Sequence, residues 1–130
     1  MISVSDYIGI PYRDKGRSRD GVDCYGLLQL WMSERNGIEL PDYLEVYTSS
    51  SDRESVAGAI EENKVGWTPV AQPEFGDALL FRILGHPMHV GIKLHGDDFL
   101  HAFQNCDTCI ERLSGLAWSR RLVGAYRWAH

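Results

Sequence analysis

Apolar positions recur at two different spacings along the chain, and the change of spacing falls near Trp67. Before it the period is helical. Val4, Tyr7 and Ile8 share one side of Ser3 to Ile10, a segment closed by Pro11. Cys24, Leu27, Leu28, Trp31 and Met32 form a longer apolar stripe, with Asp23 placed to cap its start and Asn36-Gly37 to stop it. Ser51 to Asn63 reads as another helix: Ser51 and Glu54 have the spacing of a capping box, and Val56, Ala59 and Ile60 form its buried side. Tyr12 to Asp23 and Leu40 to Ser51 read as irregular connections.

After Gly66 the chain breaks into short apolar runs separated by Pro and Gly: Ala78 to Leu84, His89 to Leu94, Phe99 to Gln104, Thr108 to Leu113 and Leu122 to Trp128. Gly96-Asp97-Asp98 is a hairpin turn between two of them, and strands joined by such short links are antiparallel neighbours. Helices first and an antiparallel sheet second predict a two-layer α+β domain, N-terminal helices packed on a C-terminal antiparallel sheet. With 130 residues and no repeat or linker, the whole of 1–130 reads as a single domain.

Charge narrows the partners. A net charge of -5 repels polyanions, which argues against nucleic acid. No run approaches the roughly 20 apolar residues needed to cross a bilayer, so stable membrane insertion is not expected. The start, Met1 to Asp6, has neither a basic leader nor an apolar run, so synthesis in a cytosol without a signal peptide is expected. Three cysteines cannot close a disulfide framework among themselves, and free thiols are the default.

Cys24 stands out among those thiols because it falls in the first turn of a capped helix, where unpaired N–H groups favour a thiolate or an oxyanion, and because Gly26 leaves room beside it. A free cysteine is more often a buried small hydrophobe, and position alone does not separate the two roles. A nucleophilic thiol needs a base, and imidazole has the matching pKa. Of the five histidines, His130 ends the sequence, His86 precedes Pro87 in a turn and His95 lies beside Gly96, all surface positions. His89 lies on the strand face opposite Val90, Ile92 and Leu94. His101, on the next strand, falls at a comparable distance from the hairpin turn and can neighbour it.

Taken in order, Tyr12, Asp23-Cys24-Tyr25-Gly26-Leu27-Leu28, Phe75-Gly76-Asp77-Ala78-Leu79-Leu80-Phe81, His89-Val90-Gly91-Ile92 and His101-Ala102 resemble the NlpC/P60 family of cell-wall cysteine peptidases. The likeness is especially to compact single-domain members of phage tail and prophage modules. It implies a papain-like fold with Cys24 as nucleophile, His89 as general base and His101 as the residue that orients it. It further implies that Tyr12 borders the oxyanion or substrate and that Asp23 helps bind a stem-peptide amine, with Gly76 and Asp77 a structural turn. Tyr25 departs from the pattern: many members have Ser there, and a bulky phenol changes that subsite. The implied substrate is a peptidoglycan stem peptide, typically cut between D-γ-glutamyl and a diamino acid. The implied location is a phage tail or tail-like particle, with tail proteins as partners.

Other readings use the same residues differently. A non-hydrolytic tail-tip component would keep the shape without the chemistry, and an amidase or acyltransferase would apply the same Cys-His pair to another bond. Cys106 and Cys109 have the spacing of a metal or redox pair, with His101 or His95 as further ligands. One such pair falls short of a zinc ribbon, so neither metal nor cofactor is expected. Tyr43, Tyr47 and Trp67 flank irregular segments and could line a glycan or peptide groove, while Trp31 belongs to the core.

Overall fold

A computed structural model describes residues 3–40, 67–83, 86–103 and 106–128, with backbone only for 86–88. The first element is a four-residue 3-10 turn, Val4–Tyr7, opened by a capping box between Ser3 and Asp6. Strands β1 (Arg17–Ser18) and β2 (Gly21–Val22) form a small hairpin. Helix α1 spans Cys24–Asn36. Six strands follow: β3 (Trp67–Val70), β4 (Ala78–Ile83), β5 (His86–Lys93), β6 (Asp98–Phe103), β7 (Cys106–Arg112) and β8 (Leu122–Trp128). They make one antiparallel sheet in the order β3-β8-β4-β5-β6-β7.

The α+β reading holds, but its plural helices do not: α1 is the one α-helix among the described residues. The segment before it is too short to sustain a nucleated helix, because Gly9, at φ +89, and Pro11 turn the chain away. The helix expected over Ser51 to Asn63, and with it Tyr43 and Tyr47, lies outside the described residues. Tyr12 to Asp23, read as an irregular loop, contains the β1–β2 hairpin. Trp67–Val70 adds a strand beyond the expected runs. Pro69 is tolerated there because β3 is an outer strand of the sheet.

Helix α1 begins and ends as its sequence prescribes. Asp23 Oδ1 accepts from Gly26 N–H at the start, and Gly37 takes the left-handed conformation at the end, φ 68. Its apolar stripe packs on the sheet face made by Ala78, Leu80, Val90, Ile92, Leu94, Leu100 and Ala102. The other face carries a second core of Leu79, Phe81, Phe99, Trp118 and Ala125. Cross-strand register keeps the faces apart: Leu80 opposes Val90 on the helix side, Phe81 opposes His89 on the other. Gly91 is part of this second face. A Cβ there would lie 3.1 Å from the Phe99 ring and 3.3 Å from that of Phe81, so glycine lets the rings close over the strand.

Two ties hold the ends. Arg127 on β8 grips the buried Asp77 with Nε and Nη2 at 2.9 and 2.8 Å, fixing the Gly76-Asp77 turn that enters β4. The outer strand β7 is met by the N-terminal segment, where Gly9 N–H donates to Thr108 O at 2.8 Å and Thr108 N–H to Ile10 O at 2.9 Å.

Candidate active site

Cys24 is the first residue of α1 and is buried. The helix start favours a thiolate, and the backbone N–H groups of Val90 and Tyr25 pull in the same direction. Burial wins. Removal from water, reinforced by the neighbouring Asp23 carboxylate, pushes the Cys24 thiol up to about 12. The sulfur is therefore a thiol at neutral pH and needs a base to become a nucleophile.

Asp23 explains how this corner is built. Its Oδ1 accepts from Gly26 N–H and from the Arg17 guanidinium, both at 2.8 Å, and its Oδ2 accepts from Lys15 N–H at 3.1 Å. With 1% exposure and three protein donors, this carboxylate is engaged within the chain. Arg17 also lies over the Tyr25 ring, 5.6 Å from its centroid. Asp23, Arg17 and Tyr25 thus form one stack flanking the nucleophile. The space that Gly26 leaves is filled: a Cβ there would collide with the Gly16 carbonyl oxygen and approach Arg17 Nη1 to 3.0 Å. Tyr12 lies close enough to Cys24 for each charge to be felt. Burial first, then the Cys24 and Asp14 charges, raise the Tyr12 hydroxyl pKa, and this hydroxyl donates to Asp14 Oδ1 at 3.1 Å.

His89 and His101 are neighbours, His89 Nε2 to His101 Nδ1 at 2.9 Å, both buried. The ladder between β5 and β6 consists of Ile92↔Leu100 and Lys93↔Phe99. Toward His89 the strands are joined by this imidazole contact. The rings lie on the sheet face away from α1, amid Phe81, Phe103 and Trp118. The hydrogen bond of the His89 ring among the described residues runs to His101, not to Cys24. The sulfur instead approaches the Val90 N–H, one residue along β5, from the helix side. Cys24 and the His89 ring therefore lie on opposite faces of β5.

A residue that the sequence did not single out completes the row. Glu111 Oε2 lies 2.6 Å from His101 Nε2. A carboxylate only accepts, so His101 donates from Nε2. Burial holds His101 low despite Glu111, and burial with His101 holds His89 well below its usual range, so both are neutral near pH 7. A neutral His101 that donates from Nε2 must accept at Nδ1; His89 then donates from Nε2 and carries its lone pair on Nδ1. The alternation of β7 puts Cys109 and Glu111 on one face, but which face of β6 they meet depends on a register, His101↔Cys109, that no short motif announces. Arg17 and Trp118 were also missed.

The remaining candidates lie apart. His95 is exposed and stacks on Phe75 at 4.4 Å. Trp31 is core, and Trp67 packs edge-on against Trp128 at 5.1 Å. Cys106 and Cys109 are free thiols on β7.

Comparison with known proteins agrees with this architecture. Residues 9–127 match the NlpC/P60 family. The chain is 27% identical over 127 residues to the murein DD-endopeptidase MepS/murein LD-carboxypeptidase of Escherichia coli K12, spanning 98% of this chain and 60% of that protein. It is 27% identical to a probable endopeptidase, an NlpC homolog, of Haemophilus influenzae, spanning 95% of this chain and 58% of that one. The chain thus spans about three fifths of the length of these relatives. Among solved structures, a Staphylococcus aureus lipoprotein-like member of the NLP/P60 family superposes with a TM-score of 0.69 at 28% identity, covering 96% of this chain and 38% of that one. The NlpC/P60 domain of the peptidoglycan hydrolase SagA superposes with a TM-score of 0.66 at 24% identity, covering 95% and 91%.

Proposed function

Since the chain belongs to the NlpC/P60 family, we propose that it is a cysteine peptidase that opens an amide bond in peptidoglycan stem peptides, with Cys24, His89 and His101 as its catalytic residues. The observations that carry this are the family match over residues 9–127, Cys24 at the start of α1, and the buried row Glu111, His101, His89. Relatives named as a murein endopeptidase and a peptidoglycan hydrolase support the substrate class.

In this mechanism His89 Nδ1 takes the thiol proton and the sulfur attacks the scissile carbonyl, giving a tetrahedral oxyanion. Its helix-start setting supplies the Cys24 backbone N–H to that oxyanion, and the Tyr12 hydroxyl borders the same place. His89 then protonates the departing amine, and a water deprotonated by His89 releases the acyl group as a carboxylic acid. His101 need not change charge; it fixes the ring of His89, as Glu111 fixes His101. The described bond of the His89 ring runs to His101 and not to the sulfur, so the role of His89 as base rests on the family match. The proposed bond is D-γ-glutamyl to a diamino acid. With Asp23 engaged by Arg17, its part is to hold the helix start and the Arg17–Tyr25 stack that forms the subsite wall. Action from within a phage tail or tail-like particle is proposed on the sequence resemblance alone.

Purified muropeptides followed by mass spectrometry test the assignment. Cys24→Ala should leave the fold intact and abolish cleavage, and unchanged turnover by that variant would overturn the nucleophile.

A further inference from the structure

Cys109 and Glu111 lie on the β7 face that meets His101, and one donor atom from each of His101, Cys109 and Glu111 lies within 4.8 Å of the other two. Nitrogen, sulfur and carboxylate oxygen are the donor types of zinc, whose bond lengths of about 2.0–2.3 Å place tetrahedral ligands about 3.3–3.8 Å apart. The His101–Glu111 pair, now at 2.6 Å, would spread a little and Cys109 would close a little. Both movers have room. Glu111 is 39% exposed and Cys109 half-buried, so the group opens to solvent on their side, while the His101 ring is fixed. That ring already has the outer partner that a metal-bound imidazole needs, because its Nδ1 faces His89 Nε2.

We propose that His101, Cys109 and Glu111 form a binding site for a zinc-class divalent cation, with water in the fourth position.

Chelator-treated protein titrated with Co2+ as a spectroscopic probe, and with Zn2+ by calorimetry, tests the site. One equivalent should bind, with a thiolate-to-cobalt charge-transfer band. Loss of an outer-sphere partner alone weakens metal sites about 10–100-fold, so Cys109→Ala, or Cys109→Ser should the first misfold, is expected to weaken binding by at least about 100-fold. Cys24→Ala should bind as the wild type does. Absence of the band in the wild type, or its loss in Cys24→Ala with retention in Cys109→Ala, overturns the site.

Discussion

Asp23→Asn changes one atom and one charge, yet it separates the two tasks of this side chain. The amide oxygen can still accept the Gly26 N–H, so the helix cap survives. The other half of the group becomes a donor facing the Lys15 N–H, now 3.1 Å from Oδ2, and the Arg17 guanidinium loses its counter-ion at 2.8 Å. A hydrogen bond to a charged partner contributes about 1.5–3 kcal/mol, and a buried donor left without an acceptor adds about 1–3 kcal/mol. Arg17 retains the Gly16 carbonyl and the Tyr25 ring, and at 15% exposure it recovers some hydration, so the lower end applies, about 2–3 kcal/mol in total. Asp23→Ala also removes the cap, worth about 1 kcal/mol more. With a urea slope of about 1–3 kcal/mol per molar, the Asn variant should unfold at a midpoint lower by about 1 M or more. The thiol responds in the opposite sense. The Asp23 charge is second to burial in raising the Cys24 pKa, so its removal should increase the rate at which iodoacetamide alkylates Cys24 at pH 8. Urea melts and alkylation rates on the same samples decide the matter. An unchanged midpoint, or slower alkylation in a folded variant, refutes the account of this corner.

Two further outcomes follow from neighbouring features. Gly26→Ala, which in an open helix would gain about 1 kcal/mol, should instead lower stability by about 1–3 kcal/mol, because its Cβ meets the Gly16 carbonyl; a stabilised variant in a urea melt would show that the loop does not pack there. Stability should fall as pH drops below about 6.5, since the unfolded chain then takes up protons that buried His89 and His101, both with lowered pKa values, refuse. Urea midpoints between about pH 7.5 and 5.5 check this: His89→Gln should flatten the slope, and a flat wild-type profile would contradict the burial of the pair.

Much of this corner was legible in the sequence because it is local. Asp23, Cys24 and Gly37 obey helix-end rules that act over a few residues, and Gly96 turns the hairpin that sets His89 and His101 side by side. That the sulfur lies on the face opposite that pair was not legible. Strand alternation says that His89 opposes Val90, but only packing shows α1 on the Val90 side. The thiol followed the same pattern: the helix start favoured its charge, whereas complete burial, a property of the assembled fold, reversed the balance. Glu111 and Arg17 act through register and loop closure, which depend on distant residues and leave no short signature. The Ser3 to Ile10 segment shows the converse, a helical period too short to make a helix.

The pairing of Gly9 and Ile10 with Thr108 has a consequence for how the molecule is made. β7 is an outer strand, and an outer strand with unpaired amides invites another chain to add on. Here part of that position is taken by the chain's own early residues. They are synthesised well before β7 and must wait for that strand to emerge before their backbone bonds can form. During that interval the segment around Gly9 and Ile10 and the nascent outer edge are both available to other molecules, so crowding during synthesis is a stage at which mispairing threatens this protein.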